Sequence, residues 1–150
     1  MYAFLSYRAC DAMTPGPVTV GPGTTLAEAE TIFEHHPFNS LPVVDDERQL
    51  LGVFTKLDLL KAFRQRDDRM FPPYDEIMRQ PVSAFMTLER DLATATPRMP
   101  LTRVLEKMVE TRSKSLPVVD AGALVGMVAR EDLMKALRRA VAGEVPTDPI

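Results

Sequence analysis

The sequence predicts an α+β fold in which one small β-α-β-β-α unit occurs twice. The first observation is a hexapeptide, Ser-Leu-Pro-Val-Val-Asp, which stands at residues 40–45 and recurs without change at residues 115–120. The second is that each copy leads through a short turn into an apolar run with a glycine, at residues 51–54 and 124–128. An internal repeat with such a long period indicates one folding unit that is used twice.

The length of 150 residues favours two repeats that pack on each other as a pseudo-two-fold pair. A unit of about 60 residues buries only about 60% of its unfolded surface, whereas a chain of this length buries nearly 70%. We predict a first repeat at residues 10–66, a linker at 67–82, a second repeat at 83–140 and a C-terminal tail at 141–150.

The first helix of the first repeat has a clear start and stop. A short β-branched strand, Val18–Val20, precedes it. Thr25 and Glu28 have the spacing of a capping box, and Pro37 ends the helix. The apolar face of this helix is predicted to contain Leu26, Ala29 and Phe33.

The hexapeptide is predicted to form a strand that is buried on both faces, because its centre is a Val-Val pair. Residues 45–48 form a turn, and residues 51–54 form the next strand. A second helix then opens at Thr55, with Leu57, Leu60 and either Ala62 or Phe63 on its predicted apolar face.

The segments before and between the repeats lack a regular pattern. Residues 8–13 fit one helical turn, and two prolines and a glycine predict a loop at residues 13–17. In the linker, residues 70–74 cannot be helical through their prolines. The apolar linker residues either cover an edge of the core or meet a partner.

The second repeat restates the first. Met86-Thr87 corresponds to Met13-Thr14, and Ala93–Ala95 takes the place of the first strand. Pro100 fits the first position of a helix, and residues 131–140 fit the last helix. The helical stripe that follows Pro100 consists of Leu101, Val104, Leu105, Met108 and Val109.

Composition excludes several classes of protein. A net charge of −3 argues against a nucleic-acid surface. No stretch approaches the roughly 20 apolar residues of a membrane span, and residues 1–5 lack the basic start of a signal peptide. Cys10 is the only cysteine, which excludes an intramolecular disulfide and fits a reducing compartment. We therefore predict a cytoplasmic protein with no membrane or nucleic-acid partner.

The ordered repeat resembles the tandem CBS-domain family, named after cystathionine β-synthase. The resemblance covers roughly residues 10–140 and rests on three motifs. These motifs are Leu-Pro-Val-Val-Asp at 41–45 and 116–120, Gly-Val-Phe-Thr-Lys-Leu-Asp at 52–58 and Gly-Met-Val-Ala-Arg-Glu-Asp at 126–132. The resemblance implies a cleft between two small sheets that holds AMP, ADP, ATP or S-adenosylmethionine, and a homodimer formed through helices.

The family pattern also implies which residues bind the ligand. Thr55 and Asp58 match the family's hydroxyl residue and its ribose-binding aspartate, whereas in the second repeat Asp132 is present but Ala129 replaces the hydroxyl residue. The site at Thr55 and Asp58 is therefore expected to be the better one. The candidate ligand-binding residues are Thr19, Val20, Asn39, Ser40, Leu41, Pro42, Thr55, Lys56 and Asp58, and in the second repeat Thr94, Lys114, Ser115, Leu116, Pro117, Arg130 and Asp132.

Physical chemistry leaves two interpretations of these residues open. A helix that begins at Thr55 offers unpaired N–H groups to a phosphate, and Lys56 and Arg130 add positive charge. Thr-x-x-Asp is equally a helix cap with an acid in the first turn. Gly52 and Gly126 permit close approach either of a flat base or of another backbone.

We find no pattern of residues that indicates catalysis. The sequence has no suggestive nucleophile–base pair and no phosphate-binding loop. His35 and His36 point about 100° apart on a helix, so they seldom share one ion. Cys10 has no activating base nearby. We predict no enzyme, no metal and no required cofactor.

The leading hypothesis is instead an adenine-nucleotide or S-adenosylmethionine sensor, with a role in energy sensing, that regulates an unidentified partner protein. The alternative is a constitutive dimerisation scaffold without a ligand.

Overall fold

The computed structural model describes residues 2–64, 73–144 and 146. The chain divides into two compact units: unit 1 joins Met1–Pro17 to Ala93–Ile150, and unit 2 is Val18–Leu92. The α-helices are α1 Ala9–Ala12, α2 Leu26–His35, α3 Lys56–Lys61, α4 Tyr74–Met78, α5 Leu101–Thr111 and α6 Arg130–Val141. The strands are β1 Thr14–Pro15, β2 Ser40–Val44, β3 Leu50–Thr55, β4 Thr87–Leu88, β5 Ser115–Asp120 and β6 Ala123–Ala129. The predicted α+β class is confirmed.

Unit 2 is built around an antiparallel sheet of order β2-β3-β4. The predicted capping box begins α2, because Thr25 Oγ1 accepts a hydrogen bond from the Glu28 amide at 3.1 Å and Glu28 Oε1 accepts one from the Thr25 amide at 3.2 Å. The predicted apolar face of α2 is buried, and residues 41–44 of the hexapeptide are buried as expected. The core of unit 2 contains Leu26, Ala29, Phe33, Leu41, Val43 and Phe54.

The predicted apolar face of α3 is wrong at Leu57 and Leu60, whereas Ala62 and Phe63, just beyond the helix, pack against the core of unit 2. Leu57 and Leu60 are 60% and 67% exposed, whereas Asp58 is buried. The cause is the cap at Thr55, which fixes where the helix begins and turns its third residue, Asp58, inward. Leu57 and Leu60 are three residues apart and so share the opposite face.

The linker contributes to the core of unit 2. Residues 65–72 lie outside the described part of the chain, but helix α4 begins directly after Pro73. Ile77 and Met78 of this helix are buried in the core of unit 2. Of the two roles predicted for the apolar linker residues, covering a core edge is the one that these two side chains fulfil.

Unit 1 has a matching sheet of order β1-β6-β5. The predicted helical turn is confirmed as α1, but Thr14 and Pro15, predicted to lie in a loop, pair with Met127 and Gly126 as strand β1. Short loops with proline can still pair at a sheet edge, where the missing N–H is not needed.

Two short predicted strands are absent as strands. At Val18–Val20 and Ala93–Ala95 the structure has only isolated parallel bridges, Val20 with Val43 and Ala95 with Val118. Proline follows closely in both segments, at Pro22 and Pro97, and cannot continue a ladder of hydrogen bonds. Each segment is therefore limited to a single bridge.

Helix α5 buries only part of its predicted stripe. Leu101, Val104 and Met108 are buried, whereas Leu105 and Val109 are 40% and 70% exposed. Pro100 is the N-cap rather than the first helical residue. In β5, residues 116–118 are buried but Val119 is only partly so. Most of the predicted tail beyond Gly143 lies outside the described residues.

The β5–β6 turn offers a test of backbone strain. Ala121 and Gly122 have φ values of 51° and 83°, the left-handed region that a two-residue type I′ turn requires. A left-handed alanine costs roughly 1 kcal/mol, and Asn-Gly is the preferred sequence for such a turn. We expect Ala121→Asn to raise the melting temperature by about 2–4 °C in a thermal denaturation experiment. The same change at Ala27, an exposed residue of α2, should lower it slightly, since asparagine is the poorer helix former.

Candidate ligand site

In unit 2, backbone contacts bring three segments with predicted site residues together. The Val20 amide donates to the Pro42 carbonyl at 3.0 Å, which joins residues 19–20 to the start of β2. Ser40 is the cross-strand partner of Thr55. The Lys56 amide donates to the Asn39 carbonyl at 3.0 Å, which ties the first residue of α3 to the segment before β2. The nine candidate residues of the first repeat therefore form one group.

Thr55 and Asp58 form a complete capping box. Asp58 Oδ2 accepts a hydrogen bond from the Thr55 amide at 2.9 Å, and Thr55 Oγ1 accepts one from the Asp58 amide at 3.0 Å. Asp58 is 5% exposed, the one buried charged residue in the described part of the chain. The capping interpretation is therefore confirmed. An ionised carboxylate has about four acceptor positions, so the hydrogen bond from the Thr55 amide does not occupy all of them.

The candidate residues of unit 2 differ in what they expose. Val20, Leu41 and Pro42 are buried, and Leu41 has no exposed surface at all. The side chains of Val20 and Leu41 belong to the core of unit 2, so their backbone is the part that a ligand would contact. The residues with partly or fully exposed side chains are Thr19, Asn39, Ser40, Thr55 and Lys56.

Unit 1 repeats this arrangement with a weaker cap. The Ala95 amide donates to the Pro117 carbonyl at 2.9 Å, and Ser115 pairs with Ala129. Asp132 Oδ2 accepts a hydrogen bond from the Ala129 amide at 2.7 Å. The alanine side chain has no oxygen to accept a hydrogen bond from the Asp132 amide. The second helix therefore has half a capping box. The remaining candidates here are Thr94, Lys114, Leu116 and Arg130, of which Leu116 is buried.

Two of the three basic candidates, Arg130 and Lys56, contact neighbouring helices. The Arg130 guanidinium donates to the carbonyls of Ser113 and Arg112, at 3.2 and 3.4 Å, where α5 ends. Lys56 Nζ lies 5.8 Å from the centre of the Phe33 ring on α2. In this structure both cations therefore serve contacts within their own unit, and the predicted contact with a phosphate stays a prediction.

Lys107 lies near the candidate residues of unit 1, although no feature of the sequence singles it out. Its ammonium group donates to the carbonyl oxygen of Thr94. No sequence motif marks this lysine, because it lies on the helical face of α5 and reaches the candidate segment only through the fold.

Gly52 and Gly126 each allow a neighbouring strand to approach closely. Gly52 pairs with Leu88 of β4, and a Cβ at Gly52 would overlap the Thr87 carbonyl oxygen. At Gly126 a Cβ would lie 3.0 Å from the Thr14 carbonyl oxygen. Of the two predicted roles, close approach of another strand is the one that the structure realises.

Other candidate chemistry is not assembled. Burial and the neighbouring Asp11 raise the pKa of the Cys10 thiol, which lowers its thiolate fraction and its nucleophilicity. Among the described residues, no three His, Cys, Asp or Glu side chains lie close enough to hold a metal ion.

Within the same described residues, no helix combines the length and the apolar character that crossing a membrane requires.

Comparison with known proteins identifies the family. The CBS-domain model matches residues 9–65 and 76–139, so this chain belongs to the CBS-domain family. The chain is 36% identical over 124 residues to inosine-5′-monophosphate dehydrogenase of Aquifex aeolicus, a match that covers 82% of this chain and 23% of that enzyme. This chain thus corresponds to less than a quarter of the dehydrogenase.

Two solved structures with similar folds contain adenosine compounds. CBSX2 in complex with AMP is 26% identical, with a TM-score of 0.75 that covers 90% of this chain and 98% of that one. The CBS domain pair of MJ0100, in complex with 5′-methylthioadenosine and S-adenosyl-L-methionine, is 28% identical with a TM-score of 0.70, and the match covers 91% of this chain and 97% of that one.

The difference between the two caps predicts opposite effects of matched mutations. Thr55→Ala removes the hydroxyl oxygen that accepts a hydrogen bond from the Asp58 amide, and should destabilise the chain by about 1 kcal/mol. Ala129→Thr supplies the missing hydroxyl opposite the Asp132 amide, and should stabilise it by a similar amount. Chemical denaturation measures both free energies of unfolding. Destabilisation by Ala129→Thr would contradict the assignment of a half-formed cap.

Proposed function

We propose that this protein is a regulatory module that binds an adenosine nucleotide or S-adenosylmethionine and acts on a partner protein, without catalysing a reaction. The observation that carries the proposal is the convergence of residues 19–20, 39–42 and 55–58 in unit 2. The AMP and S-adenosylmethionine complexes of CBSX2 and MJ0100 support this class of ligand.

The roles of the site residues follow from their chemistry. The Asp58 carboxylate accepts hydrogen bonds from the ribose hydroxyls through lone pairs that the Thr55 amide leaves unused. Thr55 and Ser40 lie beside it as a cross-strand pair with hydroxyl groups. The backbone of Leu41 and Pro42 borders the base. The corresponding group of unit 1, with Asp132 but without the hydroxyl, is the weaker site.

Regulation requires that the ligand binds two states of the protein with different affinity. We propose that the states differ in how the protein engages its partner and that the ligand reports cellular energy. We further propose that the protein acts in the cytoplasm as a homodimer. Apolar side chains exposed on α5 and α6, among them Val109 and Met134, are suited to such an interface.

A scaffold without a ligand is the second candidate. The observation that favours it is that Asp58 is buried and already engaged by the Thr55 amide. A purely structural aspartate would have the same geometry. The two candidates differ in whether small molecules stabilise the folded chain.

A thermal-shift panel separates these functions. The wild-type chain is heated with AMP, ADP, ATP, S-adenosylmethionine or NAD, each over a range of concentrations. A ligand at 100 times its Kd should stabilise the protein by about 2.7 kcal/mol, which corresponds to roughly 5–10 °C at this size. A flat response from protein shown to be folded by circular dichroism would reject the sensor and favour the scaffold.

A further inference from the structure

Unit 1 has an open apolar groove between α5 and α6. Its volume is about 410 Å³. Arg112 and Arg130 lie together at one end, where the Arg130 guanidinium contacts the Arg112 carbonyl. The lining contains no acid, and its exposed apolar side chains are Leu105, Val109 and Met134. The groove therefore favours a partner with apolar side chains and at least one carboxylate.

The repeat places a different surface at the same position of unit 2. The capping aspartates Asp58 and Asp132 align α3 with α6, and the backbone contacts of Leu26 and Leu101 align α2 with α5. In this alignment acids replace the two most exposed apolar residues of α5. Glu30 stands for Leu105, and Glu34 stands for Val109.

The α2–α3 face of unit 2 is both acidic and apolar. Glu30 and Glu34 are one helical turn apart and so share a side of α2. Tyr74 stacks on Phe63, which lies just beyond the end of α3, with ring centroids 5.6 Å apart. The carboxylate of Glu30, to which the Tyr74 phenol is hydrogen-bonded, raises the pKa of that phenol, which places the ring beside α2. Leu60, 67% exposed, lies one turn before Phe63.

We propose that the α5–α6 groove of unit 1 binds the α2–α3 face of unit 2 in a second copy of the chain. This rests on the proposed homodimer and specifies which faces meet. Arg112 and Arg130 then oppose Glu34 and Glu30, while Val109 and Met134 pack against Leu60 and Tyr74. Two grooves placed against each other would instead bring four arginines together with no carboxylate among the lining residues, and like charges in an interface are unfavourable.

Charge reversal tests this pairing in the full chain by sedimentation velocity over a range of protein concentrations. Arg112→Glu and Glu34→Arg should each weaken self-association at least tenfold. An equimolar mixture of the two single variants should associate again, because each groove then meets a face of opposite charge. Arg112→Asn, which suits the left-handed backbone at φ 56°, removes the charge alone and should have an intermediate effect. Glu89→Arg and Arg90→Glu, on an exposed turn of unit 2, are the controls.

Several results would overturn the proposal. Wild-type protein that stays monomeric at all concentrations removes the interface altogether. Loss of association with Val109→Asp but not with Glu34→Arg would assign the groove to a groove-to-groove dimer instead. Failure of the mixture to associate also contradicts the pairing of these faces. The thermal-shift panel is independent of these outcomes, so failure of the interface is distinguishable from failure of nucleotide binding.

Discussion

Gly52→Ala is expected to lower the melting temperature by roughly 6–12 °C, which corresponds to about 3 kcal/mol at this size. The added methyl group would overlap the Thr87 carbonyl oxygen and crowd Met86 Sδ at 3.1 Å. A carbonyl held in a strand pair has no freedom to move aside without breaking β4 away from β3. Differential scanning calorimetry measures the change directly.

Two other glycines serve as matched controls for this result. Gly126→Ala meets the flexible Met13 side chain and the Thr14 carbonyl at 3.0 Å, so its cost should be smaller, about 1–2 kcal/mol. Gly21→Ala has no neighbour within 4 Å and an ordinary backbone angle, and should change stability by less than about 0.5 kcal/mol. Equal melting temperatures for Gly52→Ala and Gly21→Ala would contradict the close strand approach.

Asp58→Ala is expected to weaken ligand binding more than 100-fold and so to remove the thermal shift of the wild-type chain. Each hydrogen bond from a ribose hydroxyl to an ionised carboxylate contributes about 1.5–3 kcal/mol, and the proposal assigns two of them to Asp58. The same change removes half of the α3 cap and costs about 1 kcal/mol of stability. The comparison must therefore be the ligand-induced shift, not the melting temperature itself.

Glu28→Ala is the matched control for the loss of a cap. Glu28 occupies the same position in the capping box of α2, within the same unit, but is exposed and outside the candidate site. This variant should lose a similar amount of stability and keep the full ligand response. If both variants lose the response equally, or both keep it, the assignment of Asp58 as a ligand-binding residue is wrong.

The sequence predicted features that depend on neighbouring residues. The capping boxes at Thr25 and Thr55 were predicted because a cap involves residues only three positions apart. The hexapeptide strands were predicted because the repeat showed one segment in two copies. Ser40, the first residue of the first hexapeptide strand, lies beside Thr55 because β2 and β3 pair as a hairpin across a short turn.

The features that could not be predicted depend on contacts between distant residues. Met13-Thr14 and Met86-Thr87 match in sequence, and the strands that follow pair with equivalent partners, β1 with β6 and β4 with β3. No local pattern states that β1 joins the sheet of the second repeat or that β4 joins the sheet of the first. The inward turn of Asp58 was missed because an apolar pattern at Leu57 and Leu60 carried more weight than the phase set by the cap.

The directions of the basic side chains were missed for a different reason. Long flexible side chains have many rotamers, and the partners of Arg130, the carbonyls at the end of α5, are set by the fold alone. A lysine or arginine next to a helix start therefore does not by itself indicate a phosphate contact.

The central claim is that an adenosine ligand binds at the group formed by residues 19–20, 39–42 and 55–58. Titration of the ¹⁵N-labelled chain with AMP, ATP and S-adenosylmethionine, followed residue by residue in amide NMR spectra, tests it most directly. The account predicts saturable shifts for at least one of these compounds, largest at the amides of Thr55–Asp58 and Ser40–Leu41. Spectra unchanged by all three compounds at millimolar concentration, or shifts confined to α5 and α6, would contradict it.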